Sequence, residues 1–299
     1  PYTHLNKVVA KIEADQVVVG IWIQSLAPLS VMGLVEANGD HDAQSAINTP
    51  MIDFALIDME HHPYDAQSLM PLMMMFHAKK DVLLKGNVQP NLCPIVRIPT
   101  DANGPIESYI KQVLDAGAFG IVVPHCRTAE EARKVVMACR YPQSKDSPYP
   151  SPEGLRGASP RICSYVWGVS RDEYIKRADV WPLNPDGDLL AMVMIEDVEG
   201  VENIEEIASV PGLGGIMFGP FDYSFSSGTP GEVNTKAVIE AERKVLEACQ
   251  KNSIPFIKLA RTEDAQSLVE DGYRVLLTGY DVNPAYLTEA LLRNLKSSK

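Results

Sequence analysis

Charged and histidine side chains stand where several short apolar runs of the sequence end. In chain order they are Asp58, Glu60, His61, His62, Arg97, His125, Glu196, Asp197 and Asp222. Carboxylates are common ligands of hard divalent cations, and histidine titrates near neutral pH. A buried arginine needs an anionic partner. If the fold brings these positions together, they could bind a divalent cation and an anionic substrate and move a proton.

Each of these side chains also has an ordinary structural explanation. Glu196 precedes a helical pattern and Asp222 lies in a turn, so either carboxylate could cap a helix. Arg97, in the apolar run IVRIP, could pair with a structural carboxylate as well as with a substrate oxyanion. His61 could be a structural histidine rather than a base. The choice depends on whether the fold makes the residues converge.

The apolar runs have the pattern of buried parallel strands. Eight candidate strands cover residues 17–24, 53–60, 93–99, 120–126, 189–196, 215–220, 255–260 and 273–280. Most are continuously apolar, as expected for strands covered by helices on both faces of a sheet. Amphipathic segments that fit intervening helices occupy residues 128–140, 201–210 and 235–250. The first of these helices opens with a capping box, Thr128 followed by Glu131.

Eight successive strand–helix units predict a (β/α)₈ TIM barrel, because they close most economically into a ring. An open, doubly wound sheet is the alternative, but no GxGxxG motif follows the first strand. Barrel active sites lie at the carboxyl ends of the strands, which is where the charged residues stand. We expect one barrel domain over residues 1–299.

Two segments exceed the minimal barrel pattern. Residues 39–50 lengthen the connection before the second strand, and residues 141–188, rich in Pro, Gly and Ser, form a long insertion between the fourth and fifth strands. Within the insertion, residues 171–180 have a helical pattern. Long irregular insertions are often binding loops, so this composition favours a loop that contributes to the site.

The composition excludes several classes of partner. Lys and Arg number 27 against 39 Asp and Glu, which gives a formal net charge of −12. Such a field repels nucleic acid and anionic membranes. The five cysteines are scattered without a CxxC pair, as is typical of reduced thiols. With no signal-peptide pattern and no apolar run of about 18 residues, we expect a cytoplasmic protein.

Several longer motifs resemble a known family, the HpcH/HpaI-type class II pyruvate aldolases. They include DFALIDMEHHPYD, KQVLDAGAFGIVVPHCRTAEEARKVV, VMIEDVEGVENIEEI and MFGPFDYSFSSG, and the resemblance extends over about residues 17–282. It implies a barrel of the phosphoenolpyruvate/pyruvate type. It also implies a metal-dependent carbon–carbon lyase that works through the enolate of pyruvate, by aldol cleavage or addition of 2-keto acids and by oxaloacetate decarboxylation.

The resemblance assigns a role to each matching residue. Glu196 and Asp222 would hold a divalent cation, Mg²⁺ first with Mn²⁺ or Co²⁺ as alternatives, which stabilises the enolate charge as a Lewis acid. Arg97 would supply a second positive contact to the same oxygen. His61 would move protons, and Asp115 would orient its imidazole.

Further residues would form the wall of the substrate pocket. By the same resemblance, Trp22 and Asp58 line the pocket. The loop Gly219–Asp222, whose substrate-binding residues would be Gly219, Pro220 and Phe221, would offer backbone N–H groups to the carboxylate of pyruvate. The expected partner is therefore a small molecule, pyruvate or oxaloacetate together with an aldehyde or another electrophile.

The sequence also departs from the bacterial aldolases. With His125 after the fourth strand, the sequence resembles macrophomate synthase more closely. That branch of the family decarboxylates oxaloacetate and adds the enolate to a 2-pyrone. In that branch a tyrosine of the long insertion binds the second substrate; Tyr174 is the matching candidate, although it could simply pack its helix. Family members exchange a C-terminal helix between barrels, often in hexamers. Residues 284–297 could be that helix in a homo-oligomer.

Three other functions remain open from the sequence. Lys258, in the run PFIKLA, could be the nucleophile of a Schiff-base aldolase. A lyase of the citrate-lyase type that acts on CoA thioesters is another alternative, but the sequence has no basic cluster suited to the phosphates of CoA. A metabolite-binding barrel without turnover would bind pyruvate or oxalate with a metal and release no product.

Overall fold

The computed structural model describes residues 4–24, 26–38, 52–261 and 264–280. The expected lengthened connection at 39–50 and the expected exchanged helix at 284–297 lie outside the described residues. The strands in the described part are β1 Val18–Ile23, β2 Phe54–Asp58, β3 Cys93–Arg97, β4 Gly120–Val123, β5 Val180–Trp181, β6 Leu189–Ile195, β7 Gly215–Phe218, β8 Phe256–Ala260 and β9 Val275–Tyr280.

The strands form a closed parallel barrel. The order β1, β2, β3, β4, β6, β7, β8, β9 returns to β1, because β4 pairs with β6 and β9 pairs with β1. The predicted (β/α)₈ fold is confirmed, and the open doubly wound sheet is wrong. The short strand β5 stands outside the ring and pairs with Leu189 and Leu190 at the start of β6.

Helices alternate with the strands. They are α1 Lys7–Glu13, α2 Pro28–Asn38, α3 Ala66–Met75, α4 Lys79–Lys85, α5 Ile106–Ala116, α6 Ala129–Cys139, α7 Arg161–Trp167, α8 Arg171–Arg177, α9 Val198–Glu202, α10 Ile204–Ala208, α11 Pro220–Ser226, α12 Lys236–Lys251 and α13 Ala265–Glu270. The hydroxyl of Thr128 accepts the N–H of Glu131, which confirms the predicted start of α6. The helix predicted at 201–210 is divided at Asn203 into α9 and α10. Among the described helices, none is long and apolar enough to cross a membrane.

The amino-terminal end of the barrel is closed by apolar packing. Val8 and Ile12 of α1 line a small interior space together with strand residues such as Phe54 and Leu190. The side-chain amide of Asn6, the residue before α1, donates to the carbonyl of Phe119 (3.2 Å) and fixes the helix to this end. This packing leaves the carboxyl end of the strands to bind a substrate.

The long insertion lies at the closed end of the barrel, so the prediction that it contributes a binding loop to the site is wrong. It connects the end of α6 with the start of β6, and both points are at the amino-terminal ends of the strands. Within the insertion, the indole N–H of Trp167 donates to the carbonyl of Gly117 (2.9 Å). The indole ring also stacks on Phe119, with ring centroids 4.1 Å apart. The insertion therefore covers the closed, amino-terminal end of the barrel.

Candidate active site

The charged residues predicted from the strand ends do converge at the carboxyl end of the barrel. Asp58 ends β2 and Arg97 ends β3, and the two are paired across neighbouring strands. His125 follows β4, and Glu196 follows β6 directly. Because neighbouring parallel strands end at the same rim, side chains distant in sequence meet here.

Arg97 holds the two acidic residues of the β2 end in place. Its Nε donates to Oδ1 of Asp58 (2.9 Å), and Nη1 forms an ion pair with Oε2 of Glu60 (2.7 Å). The guanidinium also lies over the ring of Trp22, 4.5 Å from its centroid. Arg97 is buried, so these contacts supply the anionic partners that its position required.

The two acidic residues respond differently to this arginine. Burial alone would raise the pKa of Asp58, but the hydrogen bond and charge of Arg97 outweigh burial and lower it. In Glu60, burial outweighs the charge of Arg97 and raises the pKa above its ordinary value. The surroundings of Arg97 therefore shift the pKa values of the two carboxyl groups in opposite directions.

Glu196 is a buried carboxyl group, and only one of its two oxygens accepts a hydrogen bond. It is 1% exposed; Oε1 accepts the backbone N–H of His125 (2.8 Å), and Oε2 has no hydrogen-bond partner. Burial raises the pKa of Glu196 to about 7, and the nearby carboxylates of Glu60 and Asp222 act in the same direction. A positive ion beside Oε2 would remove this cost.

The turn after β7 is shaped around Glu196. Gly219 has no side chain, and a Cβ there would come within 2.4 Å of Glu196 Oε2. Gly219 donates its N–H to the carbonyl of Ile195 (3.0 Å), which ties the ends of β6 and β7 together. Helix α11 starts at Pro220 and carries Asp222 in its first turn. This close approach places a second carboxylate near Glu196.

His125 is held in a strained backbone conformation among acidic groups. Its φ of 50° lies in the left-handed region, which is uncommon for a residue with a side chain. Its Nδ1 is 3.1 Å from Oδ2 of Asp197. Burial alone would lower the pKa of His125, but the charge of Glu196 and the hydrogen bond to Asp197 raise it.

The donor set fits a divalent cation. One ligand atom each from Glu60, His125 and Glu196 lies within 4.8 Å of the other two, and Glu196 offers an unpartnered buried oxygen. The carboxylate of Asp222 also acts on the pKa of Glu196, but it is not one of the three residues in this cluster. Carboxylate oxygens with an imidazole nitrogen form a common ligand set for divalent metals.

A cavity of about 510 Å³ opens beside these residues. Its lining includes the predicted residues Trp22, His61, Arg97, Gly219, Pro220, Phe221 and Asp222. Apolar side chains form much of the remaining wall, among them Met194, Met217, Leu259 and Leu277. The imidazole of His61 is largely exposed at the mouth, with Nε2 3.8 Å from Oε2 of Glu60. The lining thus combines an apolar wall with the charged side chains of Arg97, Asp222 and Arg261.

Of the predicted residues that do not line the cavity, Asp58, His125 and Glu196 lie at the same end of the barrel, whereas Asp115 and Tyr174 do not. Asp115 lies in the last turn of α5, at the opposite end of the barrel, and its Oδ1 accepts from Nη2 of Arg156 (2.8 Å) rather than from His61. Tyr174 is fully buried; its hydroxyl accepts from Arg156 (3.0 Å) and donates to the carbonyl of Leu114 (3.4 Å). Tyr174 therefore packs its helix, and its predicted contact with a second substrate is wrong for this structure.

The position of Lys258 also argues against the Schiff-base alternative. Lys258 lies on β8, but its Nζ forms a short ion pair with Glu242 of α12, on the outer side of the barrel. The neighbouring Leu259 is the residue that lines the cavity. A nucleophilic lysine would have to point the opposite way.

Glu60 and Asp197 were noted among the charged strand-end residues, but the sequence assigned neither of them a role in the site. Glu60 precedes His61 in the run MEHH, and Asp197 follows Glu196 in the run IED, so both stand beside predicted residues. Along a strand, neighbouring side chains point to opposite faces, which argues against choosing both. The chain leaves the strand conformation after Asp58 and after Ile195, and this lets both neighbours reach the site.

Comparison with known proteins agrees with this geometry. The sequence profile of the HpcH/HpaI aldolase/citrate lyase family matches residues 37–286. The chain belongs to this family. It is 30% identical over 280 residues to the 5-keto-4-deoxy-D-glucarate aldolase of Escherichia fergusonii, with 93% of this chain and 91% of the relative covered. Membership of this aldolase and lyase family makes the chain a carbon–carbon lyase.

Solved structures of the HpcH/HpaI family share the fold. A family protein of Burkholderia cenocepacia matches with a TM-score of 0.72 and 24% identity, covering 98% of this chain and 99% of its own. Macrophomate synthase matches with a TM-score of 0.64 and 26% identity, covering 98% and 88%. This chain therefore shares its overall fold with both proteins.

Proposed function

We propose that this enzyme forms the enolate of pyruvate at the carboxyl end of the barrel, with a divalent cation bound at Glu196 and Asp222. It would cleave or make the carbon–carbon bond of a 2-keto acid and decarboxylate oxaloacetate. The observation that carries the proposal is the fully buried carboxyl of Glu196, whose Oε2 has no donor and whose pKa is raised to about 7. Such a group is costly unless a cation binds it.

The cation would supply Lewis-acid stabilisation of the enolate charge. The residues of the chain would do the rest. The guanidinium of Arg97, fixed by Asp58 and stacked on Trp22, faces the cavity as a second positive group. Because its position is set before substrate binds, it needs no reorganisation when the oxyanion develops.

The turn after β7 would bind the carboxylate of the substrate. The N–H of Gly219 already bonds to Ile195, so the donors for the substrate would be those of Phe221 and Asp222. His61 stands at the mouth of the cavity, where an imidazole can exchange protons with both the substrate and solvent. This placement supports His61 as the acid and base, with no need for Asp115 from the same chain.

The partner electrophile would bind against the apolar wall of the cavity. The relative from Escherichia fergusonii is named for a keto-deoxy sugar acid, which supports a 2-keto acid as the substrate class. Leu259 and Leu277, together with Phe221, give this part of the cavity an apolar character. We also keep, as predictions, a homo-oligomer and a cytoplasmic location.

A second candidate is a reaction like that of macrophomate synthase, in which the enolate from oxaloacetate adds to a 2-pyrone. The position of His125 beside Glu60 and Glu196 favours it. The burial of Tyr174 speaks against it, because the expected contact with the second substrate is missing. Decarboxylation of oxaloacetate is common to both candidates, so it is the reaction to test.

The test is pyruvate release from oxaloacetate, measured after EDTA treatment and again after Mg²⁺ or Mn²⁺ is restored. We expect release to stop with EDTA, to return with metal, and to stay absent in Glu196→Gln, which keeps the shape and removes the charge. Metal-independent release would refute the proposal. Binding of pyruvate without turnover would instead favour a metabolite-binding barrel.

A further inference from the structure

A further arginine lines the cavity at the end of β8. Arg261 follows Ala260, the last residue of that strand, and lies in the lining of the cavity. Ala260 pairs in register with Thr278 of β9, whose hydroxyl donates to the carbonyl of Gly20 on β1 (3.1 Å). These contacts fix the point at which the chain leaves β8, and they fix the backbone position of Arg261 with it.

Arg97 and Arg261 lie on opposite sides of the cavity. Arg97 ends β3, whereas Arg261 follows β8. In the closed ring of strands, β8 is the fourth neighbour of β3 in either direction. A molecule that extends across the cavity can therefore contact one guanidinium on each side.

The two guanidinium groups have different surroundings. Arg97 is buried against the carboxylates of Asp58 and Glu60, at 2.9 and 2.7 Å. The Nε of Arg261 donates to Oδ2 of Asp264 (2.8 Å), and these two side chains are 74% and 40% exposed. Water screens an exposed ion pair, so the pair contributes little to stability. A substrate carboxylate can therefore share Arg261 with Asp264, or replace Asp264, at small cost.

The space beside Arg261 suits a second substrate. The cavity of about 510 Å³ lies within the range of about 300–1,000 Å³ that holds drug-sized ligands, and pyruvate is much smaller than these. Leu259 and Leu277 give this part of the cavity an apolar wall. Because the protein has a formal net charge of −12, an anionic substrate needs a local positive group to bind. Arg261 supplies one on the side away from Arg97.

We propose that Arg261 is a specificity-determining residue that binds a carboxylate of the acceptor, at the end remote from its reacting carbonyl. The acceptor is then an anionic aldehyde rather than a neutral electrophile, and its apolar part packs on Leu259 and Leu277. A guanidinium can bind a carboxylate through two parallel hydrogen bonds. With Asp264 beside it, this single positive charge suits a carboxylate better than a phosphate, which carries nearly two negative charges. This inference rests on the proposed function, which places pyruvate in the same cavity but does not select the acceptor.

The test measures the affinity of the Mg²⁺-loaded protein for 2-keto acids by isothermal titration calorimetry. The acids form two pairs of equal chain length that end in a carboxylate or in a methyl group: 2-oxoglutarate with 2-oxopentanoate, and 2-oxoadipate with 2-oxohexanoate. The keto-acid end takes the place of pyruvate, and the remote end extends toward the acceptor. The variants are Arg261→Gln and Arg261→Lys. The matched control is Arg243→Gln, because Arg243 is 70% exposed and also pairs with a nearby carboxylate, that of Glu247.

We expect the wild type to bind the dicarboxylate of at least one pair about 10- to 100-fold more tightly than its methyl partner. Arg261→Gln should abolish this preference and Arg243→Gln should keep it. Arg261→Lys should keep part of it, because the charge remains without the planar geometry of the guanidinium.

Two results would overturn this inference and leave the proposed function standing, provided that pyruvate binds. One is equal affinity within both pairs in the wild type, and the other is a preference that survives in Arg261→Gln. Tighter binding of an analogue with a phosphonate in place of the remote carboxylate would contradict the choice of a carboxylate. Failure of pyruvate itself to bind the Mg²⁺-loaded protein would overturn the proposed function as well.

Discussion

Replacing Gly219 by alanine should damage the site through a single contact. The added Cβ would stand 2.4 Å from Oε2 and 2.8 Å from Cβ of Glu196. Ordinary contacts begin at 3.4 Å, so the carboxyl must move by 3.4 − 2.4 = 1.0 Å. The backbone is no obstacle, because φ is −100° at this position and an alanine adopts it without strain.

A shift of about 1 Å in a catalytic group can reduce the rate about 100-fold, or about 2.7 kcal/mol of activation free energy. We expect this loss in kcat/KM for oxaloacetate, together with weaker binding of Mn²⁺. Overpacking should also lower the free energy of unfolding by about 1–3 kcal/mol, so a melting curve must show that the variant is folded at the assay temperature.

The matched control is Gly33→Ala. Gly33 lies in helix α2, where an added Cβ meets nothing within 4 Å. Alanine there should preserve kcat/KM and stabilise the helix by up to about 1 kcal/mol. If Gly219→Ala kept the wild-type kcat/KM and metal affinity, Glu196 would not be the metal ligand that we infer, and the reasoning would fail.

Three further changes have expected outcomes. In Arg97→Lys an ammonium cannot hold both acidic groups of the β2 end in the planar geometry of the guanidinium, so kcat for oxaloacetate should fall about 100- to 1000-fold. Tyr174→Phe should lower the free energy of unfolding by about 1 kcal/mol, because the hydroxyl bond to Arg156 is lost, with kcat and KM unchanged. In His4, burial acts to lower the pKa, but the carboxylate of Asp188 outweighs it and raises it. The stabilisation is complete below the pKa that His4 has in the unfolded chain, and it is lost as pH rises through the pKa in the folded chain. His4→Gln should therefore lower the free energy of unfolding more at a pH of about 5.5 than at about 8.5, as measured by urea unfolding.

Each of these expectations has a contrary result. Near-normal turnover in Arg97→Lys would mean that the reaction needs only a positive charge at this position and not the planar geometry of the guanidinium. A raised KM in Tyr174→Phe would return this tyrosine to the substrate. An equal loss of stability at both pH values in His4→Gln would show that the histidine does not titrate against its partner.

The sequence predicted the barrel and the strand-end residues because both depend on local pattern. Continuous apolar runs identify strands covered on both sides, and parallel strands of a closed ring place their carboxyl ends together. Asp58, Arg97 and Glu196 therefore converge without any knowledge of the loops. The same rule could have placed the insertion at the closed end, since it joins a helix end to a strand start.

The residues that were misplaced depend on contacts between distant parts of the chain. Asp115 and Tyr174 both meet Arg156, which is 41 and 18 residues away, and no local pattern signals this buried cluster. The backbone conformation of His125 likewise depends on Glu196, 71 residues later, whose carboxylate accepts the backbone N–H of His125. Position along an element is readable from sequence, whereas a partner across the fold is not.

The most direct test of the central claim is proton exchange at the methyl group of pyruvate, followed by NMR in D₂O. No acceptor is needed, so the result depends on enolate formation alone. We expect exchange in the wild type with Mg²⁺ or Mn²⁺, none after EDTA, and none in Glu196→Ala with either metal. Exchange that persists in EDTA and stops after borohydride reduction in the presence of pyruvate would contradict a metal-dependent enolate and indicate a lysine imine.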